Sequence, residues 1–184
     1  DMSNGQITTD GGLTLRGGTG YDTLKIIDTQ GHEYRVQTGH AGKIDGLHRF
    51  MQVEELHGTD AGDSFYVDYT NLNTVIRGMA GNDYFFVDES IRALVVLYGD
   101  TGDDVYRLSL RALTSGLLTI HDSVGSEHDQ LFAEGTDGPD VLVMRYNDLT
   151  FNNQHIDFVY PGIEELSLDG AGGDDEFSIQ ANDK

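Results

Sequence analysis

The sequence predicts an all-β fold, a parallel β-solenoid of eight or nine coils with about 20 residues in each. Three observations lead there. A glycine–aspartate turn recurs six times in 184 residues. Apolar residues alternate with polar ones after every turn. The shortest turn-to-turn spacings are 20 and 21 residues. Repeats at such a period mark stacked architectures, in which no unit buries its apolar face alone.

The turns are "GGTGYDTLKI" from Gly17, "GTDAGDSFYV" from Gly58, "GMAGNDYFFV" from Gly78, "GDTGDDVYRL" from Gly99, "GTDGPDVLVM" from Gly135 and "GAGGDDEFSI" from Gly170. Their shared aspartates are Asp22, Asp63, Asp83, Asp104, Asp140 and Asp175, spaced 41, 20, 21, 36 and 35 residues apart. Each long spacing reads as two units with one degenerate turn. The degenerate candidates are "GHAGK" at 39–43, "YPG" at 160–162 and an off-register partial copy at Asp129.

The strands follow from the alternation. Two residues after each aspartate stand Leu24, Phe65, Phe85, Tyr106, Leu142 and Phe177; four after stand Ile26, Val67, Val87, Leu108, Met144 and Ile179. Period two means a half-buried strand. Upstream, Leu13/Leu15, Val95/Leu97 and Leu166/Leu168 repeat the pattern, and Leu72, Ile91 and Leu113 suggest an apolar column at a second corner. Only "VEEL" and "IEEL" hint at helix. A β-sandwich also has short, evenly spaced strands, but it gives no reason for one aspartate at one place in every unit. A longer echo, "VEELHGTDAGDSF" against "IEELSLDGAGGDDEF", is consistent with duplication of a block.

Composition bounds the rest. The chain is expected to be one domain over residues 1–184, cut from a longer repeat protein. It carries 32 acidic against 11 basic residues and a net charge of −21. Nucleic acid and anionic membrane need a basic surface, so neither is an expected partner. No stretch approaches the roughly 18 apolar residues of a membrane span. Cysteine is absent, so neither disulfides nor thiolates are available.

Stacked turns put carboxylates in a column. Two of them about 5 Å apart repel by roughly 3 kcal/mol at an effective dielectric near 20. The column must protonate, splay or hold cations. Its ligands are oxygens only, carboxylates and backbone carbonyls, which select calcium or magnesium. Calcium tolerates an irregular cage and magnesium does not, so calcium is the expected ion. Glycines let carbonyls turn inward and turns approach closely. The strongest sites are expected between Asp63, Asp83 and Asp104, with Gly78, Gly81, Gly99 and Gly102 in the turns. Asn82, Asp103 and Asp174 precede shared aspartates and could add oxygens.

"GGTGYDTLK" matches every fixed position of G-G-x-G-x-D-x-U-x, and so resembles the nonapeptide of the RTX (repeats-in-toxin, hemolysin-type) calcium-binding proteins. The copies from Gly78, Gly99, Gly135 and Gly170 lack the second glycine but keep the first, the fourth and the aspartate; the copy from Gly58 shifts one glycine. The resemblance implies a right-handed parallel β-roll with calcium between successive turns. With one good turn per 20 residues or so, it implies one ion column here. It is similar to degenerate repeats of large bacterial surface and secreted proteins.

These readings favour a structural role: a calcium-stabilised segment of a secreted or cell-surface bacterial protein, serving as stalk, adhesin region or filament subunit. Open sheet edges would be covered by flanking repeats or by head-to-tail self-stacking. The alternatives are a β-helix module that binds or cleaves a polysaccharide, such as a surface glycan, and the repeat region of an RTX toxin or hydrolase. For cleavage, Glu54/Glu55, Glu164/Glu165, Arg77, Arg92, Arg107 and Arg111 form no convergent set, so no enzyme is expected. The seven histidines show no metal-binding spacing.

Overall fold

The computed structural model describes residues 12–123, 127–146, 148–158 and 162–180. Glycine-rich turns leave only short apolar runs between them, so the strands are short. They are β1 (Thr14–Arg16), β2 (Thr23–Lys25), β3 (Glu33–Thr38), β4 (Ala41–Ile44), β5 (His48–Met51) and β6 (Glu55–His57). Next come β7 (Ser64–Val67), β8 (Thr74–Ala80), β9 (Tyr84–Val87), β10 (Leu94–Thr101), β11 (Val105–Ser109) and β12 (Leu117–His121). The last are β13 (Gln130–Glu134), β14 (Val141–Arg145), β15 (Asp148–Phe151), β16 (Gln154–Phe158), β17 (Glu165–Asp169) and β18 (Glu176–Ile179). Among the described residues the one helical element is a single 3-10 turn, Leu110–Ala112. "VEEL" and "IEEL" lead into β6 and β17, not into helices.

The fold is all-β, with two nine-stranded sheets. The first runs β1-β5-β4-β3-β7-β9-β11-β13-β17 and the second β18-β14-β15-β16-β12-β10-β8-β6-β2. From β5 to β14 the chain crosses from one sheet to the other after every strand. Most neighbours are parallel and in register. In the first sheet Tyr34, Phe65, Phe85, Tyr106, Leu131 and Leu166 align across β3, β7, β9, β11, β13 and β17. In the second, Leu24, Leu56, Ile76, Leu97, Ile120 and Phe158 align across six strands.

These rows form the core between the sheets. Tyr34, Phe65, Phe85 and Tyr106 are fully buried. Their rings stack with centroids 4.8, 5.0 and 4.9 Å apart, close to the spacing of neighbouring strands. Parallel in-register pairing sets that distance, so a flat side chain repeated at one position must stack on itself. Val36, Val67, Val87, Leu108 and Ala133 form a second buried row behind it.

Two antiparallel meanders interrupt the alternation, β3–β4–β5 in the first sheet and β14–β15–β16 in the second. They account for long spacings that the sequence reading assigned to degenerate turns. Gly39–Lys43 lies at a hairpin inside the first meander, not at a crossing. Tyr160 and Pro161 of "YPG" lie outside the described residues. At the second corner, bridges join Thr70, Ile91 and Leu113; Leu72, expected in that column, is 49% exposed.

The block echo has a structural counterpart. Glu54 and Glu55 both donate their N–H to the Asp22 carbonyl, and Glu54 Oε2 accepts the Asp22 N–H at 2.8 Å. Glu164 and Glu165 do the same with the Asp129 carbonyl, and Glu164 Oε2 accepts the Asp129 N–H at 2.8 Å. A meander lies between the partners in each case, but the sheets are exchanged. The block therefore recurs with its half-turns swapped.

Phe85→Ala should cost about 3–5 kcal/mol in chemical denaturation, because a ring is removed from the middle of the buried stack. Leu72→Ala should change stability by less than about 0.5 kcal/mol, as an exposed position does. Equal losses would contradict this placement of the core.

Candidate metal centre

The six shared aspartates fall at two corners, which corrects the single column expected from sequence. Asp63, Asp83 and Asp104 stand where the chain enters the first sheet, before β7, β9 and β11. Asp22, Asp140 and Asp175 stand where it enters the second, before β2, β14 and β18. The motif marks a corner without saying which. An odd number of crossings separates Asp22 from Asp63, and Asp104 from Asp140, so the aspartate changes sides. Asp129 is a full member of the first row, before β13.

That row is held by a ladder. Asp63 Oδ1 accepts the N–H of His32 at 2.5 Å. Asp83 Oδ1 accepts from Asp63 N–H and Asp104 Oδ1 from Asp83 N–H, each at 2.7 Å. Asp129 Oδ1 accepts from Asp104 N–H at 2.8 Å, and Glu164 closes the series. Each carboxylate thus binds the backbone of the turn before it, a charge-assisted bond in a buried place. At the other corner Asp175 Oδ1 accepts the Asp140 N–H at 3.0 Å.

The second carboxylate oxygen divides the turns into two kinds. In "GTDAGD" the Thr59 N–H and hydroxyl reach Asp63 Oδ2 at 2.6 and 3.1 Å. In "GTDGPD" Thr136 does the same for Asp140 at 2.7 and 3.1 Å, and Asn152 Nδ2 donates to Oδ1 at 2.7 Å. Met79 and Asp100 replace the threonine in the next two turns and sit at φ 85° and 71°. There Asp83 Oδ2 and Asp104 Oδ2 are buried without any hydrogen-bond partner. Asp22 Oδ2 and Asp129 Oδ2 share that condition. A buried, unpaired carboxylate oxygen is costly unless something positive reaches it.

The glycines serve this arrangement. A Cβ at Gly78 or Gly99 would overlap the carboxylate of Asp83 or Asp104. The first glycine therefore makes room for the carboxylate oxygen. Gly81 and Gly102, at φ 101° and 136°, take the left-handed conformation that glycine alone adopts freely, and pass close to the backbone of the preceding turn.

Asn82 and Asp103 are exposed and build an outer ladder: Asn82 Oδ1 accepts the Asp103 N–H at 3.2 Å and Asp103 Oδ1 the His128 N–H at 2.9 Å. Asp174 is exposed and Asp175 half-buried.

Sequence reasoning missed Asp122 altogether. One oxygen each of Asp104, Asp122 and Asp129 lie within 4.8 Å of one another. Tyr106 Oη donates to Asp122 Oδ2 at 2.7 Å, and the Ser123 N–H to Oδ1 at 2.8 Å. Four of the described arginines pair elsewhere: Arg35 with Asp68, Arg77 with Asp100 and Glu55, Arg111 with Asp88 and Arg145 with Asp148.

The electrostatics follow. Burial, then the charges of Asp104, Asp63 and Asp100, push Asp83 up to about 8 against the pull of the Asp63 N–H. Burial and neighbouring carboxylates raise Asp104 to about 7 and Asp122 to about 8. Burial, then Glu164, Glu127 and Asp103, raise Asp129 to about 6. For Asp140 burial is outweighed by Thr136 and Asn152, and the pKa falls below its ordinary value. Without a cation, Asp83, Asp104 and Asp129 resist ionisation. The oxygen-only donors, with four of the oxygens unpaired around the two corners, fit a hard divalent cation.

No protein-family model matches the chain, and no curated protein matches it.

The raised pKa values give a pH dependence for the chelated protein. The fold favours the protonated form of Asp83, Asp104, Asp122 and Asp129, whose unfolded pKa is about 3.9. Their stabilisation is complete below that value and lost as pH rises through about 6 to 8. The melting temperature in chelator should therefore fall between about pH 5 and pH 9. A melting temperature that rises over this interval would refute the assignment.

Proposed function

We propose that the chain is a calcium-stabilised structural segment of a secreted or cell-surface protein, built as a parallel β-solenoid. The regular crossing between sheets and the parallel, in-register rows support the solenoid, with the meanders as insertions on its faces. The observation that carries the calcium reading is the buried aspartate row whose second oxygens, at Asp83, Asp104 and Asp129, have no hydrogen-bond partner. Asp83, Asp104 and Asp129 would hold the ions at the first corner, and Asp22 at the second. A bound calcium would supply the positive charge that lets these carboxylates ionise inside the fold.

Calcium would bind the folded state alone and drive folding by linkage. Free calcium is plentiful outside cells and scarce in cytoplasm, which favours an extracellular setting. The ends fit a stacking role. Ile27, near one end, is 72% exposed; Phe177 and Ile179, on β18, are 50% and 81% exposed. Such apolar surface needs a cover, from further repeats or from another molecule.

A second reading, a glycan-binding module, is favoured by one feature. A groove of about 460 Å³ on the outer face of the first sheet is lined by Phe86, Phe132, Arg107, Arg111, Asp88 and Glu134. Its arginines already have partners within the fold, Arg107 over the Phe132 ring and Arg111 on Asp88. Specific retention on a glycan array, lost on Phe132→Ala, would favour this reading over the structural one.

Circular dichroism tests the first reading. At the upper end of the pH range over which the chelated protein loses stability, EGTA should abolish most β-structure, and calcium should restore it where equal magnesium does not. Asp83→Asn should weaken calcium-dependent refolding by roughly tenfold or more, and Thr59→Val by far less. A spectrum and melting temperature indifferent to chelation would end the proposal.

A further inference from the structure

From the meeting of Asp122 with Asp104 and Asp129, we infer that these three carboxylates together form the high-affinity divalent-cation site of the first corner, with Tyr106 as its positioning residue. This deepens the calcium reading and rests on it for the choice of ion.

The site arises from one substitution in the repeat. Tyr98 pairs with His121 between β10 and β12, so Asp122 stands beside Gly99. Gly58, Gly78 and Gly99 hold this place at the earlier crossings, where a carboxylate oxygen fills the space a Cβ would need. Asp122 puts a second carboxylate there. Two turn carboxylates and one strand-end carboxylate then converge, with one oxygen of each within 4.8 Å of the others.

The environment points to an ion. Asp104 and Asp129 are each 0% exposed, and the Oδ2 of both is unpartnered. Their Oδ1 atoms accept N–H groups of the ladder, from Asp83 and Asp104 respectively. The carboxylates are therefore fixed in place with their free oxygens left over. Tyr106 fixes the third member. Its ring belongs to the aromatic stack, 4.9 Å from Phe85. Its hydroxyl reaches Asp122 at 2.7 Å, whereas the hydroxyl of Tyr34 in the same stack has no partner. Three carboxylates converge here where the turns at Asp63 and Asp83 each bury one, and ligand charge count is what tightens oxygen sites for calcium.

Terbium luminescence, excited through tyrosine and titrated by competing calcium, reads this site directly because Tyr106 touches a ligand. In the wild-type chain, emission should saturate at the tightest ion and be displaced by calcium. Asp122→Asn keeps the shape and the Tyr106 hydrogen bond, and should weaken that ion by roughly tenfold or more. Asp122→Gly restores the residue of the neighbouring crossings and should do the same; it guards against an asparagine that fails to fold. Tyr106→Phe is tolerated in a column that already holds Phe65 and Phe85. It should lose most of the sensitised emission while calorimetry still finds terbium bound. Titrations of Asp122→Asn and Asp122→Gly indistinguishable from wild type would overturn the site, as would Tyr106→Phe with unchanged emission. If calcium restores the fold but Asp122 is silent, this inference alone fails. If Asp122-dependent terbium binding persists in a chain whose fold ignores chelation, the calcium-dependent function fails and the site stands.

Discussion

The structure depends on the bond between each turn's carboxylate and the backbone N–H of the turn before it. From His32 through Asp63, Asp83, Asp104 and Asp129 to Glu164, one turn is tied to the next by one side chain. This fixes the rise and the register together. Once the turns are in register, the strands pair in parallel, the rings of Tyr34, Phe65, Phe85 and Tyr106 meet face to face, and the valine row forms behind them. The apolar core is the larger source of stability. The ladder determines which residues it brings together.

The same bond creates the electrostatic problem. It satisfies one oxygen of each carboxylate and buries the other. The sequence answers locally in two ways. A threonine at the second place of the turn donates twice to the second oxygen, as Thr59 and Thr136 do. Where Met79 or Asp100 stands instead, in the left-handed conformation, the oxygen has no partner. The proposed ions belong to the second kind. One turn motif thus yields positions whose carboxylate is complete by itself and positions that leave a buried oxygen unpaired.

Much of the fold was legible because period two and the glycine–aspartate turns are local signals. Phe65, Val67, Phe85, Val87, Tyr106 and Leu108 lie in the rows that alternation assigned to them. The corner of each aspartate was not legible. The motif is alike at both corners, and the two meanders add strands without a turn signature that differs from a degenerate repeat. Phe177 and Ile179 fit the alternation and are nevertheless exposed, because β18 is the last strand of its sheet in the order described. At the site, the aspartates could be named but not their donors. The N–H ladder depends on register, and Glu54 and Glu164 join it from the block echo, outside the glycine–aspartate turns. Asp122 left no sequence signal, since it replaces a glycine rather than repeating an aspartate. Thr59 and Thr136 were visible as letters; what they do became visible only with the hydrogen bonds.

The claim that these unpartnered oxygens are cation ligands is tested most directly by anomalous scattering from crystals grown in calcium. The account predicts peaks beside Asp83, Asp104 and Asp129, and none inside the threonine-capped turns of Asp63 and Asp140. Density without a peak along the first row, or peaks confined to the threonine-capped turns, would contradict it.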